Sequence, residues 1–153
     1  MKLKASQTAA VNARARLPKM AEKYFNKGRV ASDGKRSPKE LHGFRIATKR
    51  FRYSLEIFRP VFGTSLDRYL SSLHDLQHTL GKLSDYRSIG DLVDGDHELE
   101  AKLTQETDKH LKEFHQQWKV LDGEGQLKRW KRYLSGERAR AGSAGGQEAA
   151  RRP

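Results

Sequence analysis

The sequence predicts an all-α protein, an antiparallel helical bundle of about four to six helices with a basic groove. Apolar residues recur at steps of three and four along most of the chain, and no stretch alternates with period two for long. Hydrophobic residues make up 35% of the 153 positions and charged residues 33%, with a mean hydropathy of −0.89. So thin an apolar supply suits amphipathic helices better than a sheet covered on both faces. The charge is one-sided: residues 1 to 59 hold 16 Lys/Arg against 4 Asp/Glu, residues 60 to 153 hold 15 against 15, and the net +12 therefore belongs to the first part. One face should be positive and its partner a polyanion.

The elements follow in order. Alanine-rich residues 5 to 16 favour helix, and Pro18 fits the first turn of a continuing or restarted helix through about Gly28, kinked near the proline. Leu17, Met20, Ala21, Tyr24 and Phe25 should face inward. Residues 31 to 36 read as a loop, after which Ser37-Pro38-Lys39-Glu40 supplies an N-cap, a proline at N1 and a glutamate at N3. The helix starting there buries Leu41, Phe44, Thr48, Phe51, Leu55 and Phe58, and Pro60 with Gly63 ends it. A third helix repeats Leu66, Tyr69, Leu70, Leu73, Leu76, Leu80 and Leu83, with a re-capping point expected at Ser84-Asp85 before a short piece over residues 86 to 93. Gly95-Asp96 restarts the pattern for residues 97 to 121, with Leu99, Leu103, Leu111, Phe114, Trp118 and Leu121 inward, and a last helix carries Leu127, Trp130 and Leu134.

The expected division is a bundle over residues 1 to 134 and a disordered Gly/Ala/Arg-rich tail over 135 to 153, partly helical around Glu137 to Ala141. Zero cysteines exclude disulfides and thiolate metal sites, leaving the cytosol as the default compartment. The N-terminal residues contain no uninterrupted apolar run, so neither a signal peptide nor a membrane span is expected.

His42, Arg45, Lys49 and Arg52 stand at steps of three, four and three, which makes one stripe along the flank of the second helix. Neighbouring like charges repel by tenths of a kcal/mol per pair, so the pattern points to an external anion. Side chains at these steps lie roughly 5 to 6 Å apart and can engage consecutive phosphates. Arginine brings a two-pronged fork, lysine a mobile point charge, and histidine a proton-bearing donor once an anion compensates its neighbours. Within the helix only Glu40 and Glu56 could neutralise the stripe, and the preceding helix is itself basic. The competing interpretation is an ordinary solvated face whose cations pair with neighbouring carboxylates.

The run His42-x-x-Arg45-x-x-x-Lys49-Arg50-x-Arg52-Tyr53-x-x-Glu56-x-Phe58, followed by Leu76-Gln77-x-x-Leu80-Gly81-x-x-Ser84-Asp85, resembles the conserved-histidine α-helical domain, CHAD, and in particular the motif of its second half. The resemblance implies two helical bundles that hold inorganic polyphosphate in a basic central cavity. It places His42, Arg45, Lys49, Arg50, Arg52 and Tyr53 on positions that line or support the anion site. The chain departs from the motif at Gln77-His78, where Gln-Asp is frequent, and at Ser84-Asp85, where Asn-Asp is frequent. Its length accommodates one bundle, so a closed cavity requires a homodimer or another chain.

Arg14, Lys19, Lys23 and Lys27 could widen the groove from the first helix, and Lys82 and Arg87 from the third. Lys128, Arg129, Lys131 and Arg132, interleaved with Trp130 and Tyr133, also fit loose contact with single-stranded nucleic acid. His74 and His78 have the i, i+4 spacing of two zinc ligands without the glutamate of the metalloprotease pattern, and no phosphate-binding glycine loop or nucleophile elbow occurs. The expectation is noncatalytic binding of inorganic polyphosphate, without cofactor or metal. General nucleic-acid binding by the same face and a phosphohydrolase using His42 are the alternatives.

Overall fold

The computed structural model describes residues 8–34, 37–93 and 95–137. These form an all-α antiparallel bundle: α1 (Ala9–Ser32), α2 (Pro38–Ile57), a single turn α3 (Arg59–Phe62), a 3₁₀ turn (Gly63–Leu66), α4 (Asp67–Gly90), α5 (His97–Leu121) and α6 (Gln126–Ser135). Of the tail expected over 135 to 153, Ser135 instead closes α6 with Gly136 as its cap, and residues 138 to 153 lie outside the described residues.

α1 runs unbroken through Pro18, which has no N–H for the Arg14 carbonyl, and continues past Gly28 to Ser32. Residues 31 and 32, read from sequence as loop, belong to the helix, and Ala31 is buried. α2 begins as its sequence dictates: Ser37 Oγ accepts from Glu40 N–H at 3.3 Å while the Glu40 carboxylate accepts from Ser37 N–H at 2.5 Å, the reciprocal capping box. Pro60 does not merely stop α2 but starts α3 near its first turn. The re-capping expected at Ser84-Asp85 does not occur: α4 passes straight through to Gly90, and Ser84 contributes its carbonyl to the Ser88 hydroxyl at 3.2 Å. Nothing there obliges a break, because serine inside a helix can turn its hydroxyl back on the preceding turn.

α1 packs between α6 and α2, α2 between α1 and α4, and α4 carries α5 on its other side. The core is aromatic. Tyr24 is stacked between Phe44 and Phe51, with centroids 5.1 and 4.8 Å away, and Trp118 meets Phe44 edge-on at 5.2 Å. Thr48 Oγ1 donates to the Phe44 carbonyl at 2.9 Å and lies 3.3 Å from the Tyr24 hydroxyl, which keeps both buried polar groups satisfied. The buried residues of α5 (Phe114, Trp118 and Leu121) all lie in its second half. Leu99, expected inward, is 48% exposed, because the first half of α5 has chiefly α4 to pack against.

Candidate anion-binding site

The stripe falls on the flank of α2 that faces α4. Arg52 Nε donates to Gln77 Oε1 on α4 at 2.9 Å, and its Nη1 pairs with Glu56 one turn on. Its side chain is only 14% exposed. Tyr53 receives Arg52 over its ring at 4.6 Å from the centroid and Lys49 at 5.7 Å, so it steadies two cations from outside.

The other three members are different. His42 and Lys49 are exposed and Arg45 is half-buried, and none of them forms an ion pair among the described residues. Arg45 Nε is shut off from solvent without a hydrogen-bond partner among the described residues. Elsewhere three basic side chains pair across elements: Arg29 with Asp122 at 2.8 Å, Arg59 with Asp67 at 2.8 Å, Lys131 with Glu22 at 3.1 Å. Asp67 is held below the usual carboxylate range by its hydrogen bond to Arg59. Acids thus reach these three cations, while His42, Arg45 and Lys49 have none paired to them among the described residues.

The remaining sequence candidates divide by helix. Arg87 comes to His42, the two lining one cavity between α2, α4 and α5, and Lys82 stands exposed one turn earlier on α4. Arg50 follows Lys49 by 100° around α2 and leaves the stripe. Arg14, Lys19, Lys23 and Lys27 lie on α1, which α2 separates from α4. Arg14 in particular packs beside Gly136 at the end of α6. The stripe and the α1 cations therefore do not share one trough. In α6 the rings proposed as a stacking platform are engaged inside the protein: Trp130 is buried, and Tyr133 stacks on Tyr69 at 4.7 Å with its hydroxyl 2.8 Å from Ser65 Oγ.

Sequence reasoning missed Gln77 as the residue that ties Arg52. Its signal was present in the chain, since Gln77 is a polar position on the α4 face shared with Leu73, Leu76 and Leu80. Among the described residues no group of three or more His, Cys, Asp or Glu is placed to hold a metal ion, so His74 and His78 gain no third ligand.

The CHAD domain family model matches residues 2–94, a span reaching from the N-terminal segment to the end of α4 and including the whole stripe. The chain belongs to the CHAD family. No curated protein matches it, and no solved structure does. In this CHAD protein α5 and α6 lie beyond the matched span, yet they complete the core through Phe114, Trp118 and Trp130. No helix among the described residues is long and apolar enough to cross a membrane.

Proposed function

We propose that this CHAD protein is a noncatalytic, cytosolic binding module for inorganic polyphosphate, gripped along α2 by His42, Arg45 and Lys49, with Arg52 and Tyr53 as supports. Arg87 and Lys82 extend the positive edge onto α4. The observation that carries the reading is the unpaired state of His42, Arg45 and Lys49 in a protein that pairs Arg29, Arg52 and Arg59. A buried arginine N–H without an acceptor is costly unless something external accepts from it. Phosphates of the polymer follow one another more closely than the turns of a helix, so one strand laid along α2 offers an acceptor to each of the three cations. A basic groove deep enough to enclose the polymer needs a second wall, which a second copy of the chain would supply.

Binding is favoured over phosphoryl transfer because carboxylates that could organise metal ions beside the stripe are few, and Glu56 is already engaged by Arg52. The test is a calorimetric titration with polyphosphate of defined length, with light scattering to follow dimer formation. Wild-type affinity should fall steeply with salt, as it does for other polyanion complexes. Reversing Arg45 and Lys49 together to glutamate should abolish binding with helicity intact; unchanged binding overturns the proposal. Release of phosphate that disappears in His42→Ala would instead establish hydrolysis. Displacement by nucleic acid at equal phosphate concentration would establish a general polyanion face.

A further inference from the structure

Between the start of α2, the second half of α4 and the middle of α5 lies a cavity of about 340 Å³. Leu41, Leu80, Leu83 and Leu111 line it, Tyr86 adds a ring, and no carboxylate lines it among the described residues. Its basic members are His42 and Arg87, one from each of two facing helices, and neither forms an ion pair among the described residues. It is a cleft open to solvent on one side, and its volume falls within the range of small-molecule sites. A polyphosphate strand has no apolar part with which to fill leucine walls, so the stripe's own ligand does not account for the cavity.

We propose that this cavity binds a small amphiphilic anion, an alkyl or acyl chain ending in one anionic head. The chain takes the place of water against the leucines of α2, α4 and α5, and the head meets His42 and Arg87. Charge complementarity selects the head, since a neutral amphiphile leaves both cations uncompensated and a cation is repelled. The site shares His42 and Arg87 with the polyphosphate reading but not Arg45 or Lys49, and it stands whether or not those two residues hold polyphosphate.

The probes are butyl, hexyl and octyl phosphate, each below its micelle-forming concentration, titrated calorimetrically into the full chain beside inorganic phosphate and neutral octyl glucoside. Binding should be saturable at one site per chain and tighten by about fourfold per methylene until the cavity is full. Octyl glucoside should bind more weakly than octyl phosphate, and Arg87→Gln should remove most of that difference. Thr107→Phe, which fills the cavity from α5, should abolish the dependence on chain length while polyphosphate binding persists. Ser84→Leu does the same from α4 if the first variant fails to fold. Affinity independent of chain length, equal binding of glucoside and phosphate, or a chain-length dependence surviving in whichever of these two variants folds would each overturn the proposal. The Arg45→Glu/Lys49→Glu protein should retain octyl phosphate binding, which separates failure here from failure of the polyphosphate reading.

Discussion

The indole of Trp118 lies against the bare Cα of Gly28, so close that a Cβ built there would stand 2.0 Å from Cη2 and 2.4 Å from two further ring atoms. Gly28 is thus the point at which α5 docks its largest side chain on α1. The same ring contacts Tyr24, Phe25 and Phe44, which joins the matched CHAD span to the helices beyond it.

Gly28→Ala follows from that contact as a test of sign. On an isolated helix alanine would be better than glycine by about 1 kcal/mol. Here the methyl group meets a rigid indole in a filled core, and overpacking of this kind costs roughly 1 to 3 kcal/mol. The variant should unfold at lower urea concentration than wild type, and pairing it with Trp118→Phe should cost less than the two changes added together. A stabilised Gly28→Ala protein would mean that Trp118 does not sit where the structure has it.

How far the chain could be read in advance depended on whether the signal was local. The capping box at Ser37 and Glu40 needs only four consecutive residues, and it forms as read. The interior of α2 follows from one period, and Phe44, Thr48, Phe51 and Leu55 are all buried. Gly28 suggested a helix end by propensity, but a contact with a residue 90 positions away decided the matter. Ser84 was misread for the same kind of reason: its composition suits a cap, whereas α5 packed alongside keeps α4 helical. Within the stripe, spacing located the cations correctly on one flank but could not distinguish Arg52, tied by Gln77 across helices, from Arg45, which has no partner for its Nε.

That difference predicts opposite behaviour for two arginines seven residues apart. Arg52→Ala or Gln77→Ala should destabilise the fold, Gln77→Ala by about 1 kcal/mol, and a double-mutant cycle should show the two coupled. Arg45→Ala should leave stability in buffer unchanged or raise it, because among the described residues it removes no hydrogen bond and it takes away a buried N–H that has no acceptor. Urea unfolding with and without polyphosphate separates the roles: Arg45→Ala should lose the stabilisation conferred by ligand while keeping its stability in buffer.

Tyr24 predicts an alkaline limit to stability. Complete burial raises its hydroxyl well above the ordinary tyrosine value of 10.0, with the hydrogen bond to Thr48 opposing the shift more weakly. A group whose folded-state value is raised contributes in full below the unfolded value and loses that contribution as pH rises towards the folded one. Stability should therefore be flat in this respect below pH about 10 and then fall by up to about 1.4 kcal/mol per pH unit. Tyr24→Phe should remove this part of the slope, and unfolding midpoints between about pH 9 and 11 measure it.

The capping box at the head of α2 links stability to the proposed binding function. Ser37→Ala frees the Glu40 N–H, and Glu40→Ala frees the Ser37 N–H, so each should cost about 1 kcal/mol. His42 and Arg45 ride on the turns that this cap holds, only five and eight residues beyond Ser37. Fraying there should cost polyphosphate affinity before it costs global structure, and it should do so without changing any side chain of the stripe. Hydrogen exchange should show faster opening confined to the first turns of α2 in Ser37→Ala, and titration should show weaker binding with an unchanged salt dependence, since the number of phosphate contacts is the same.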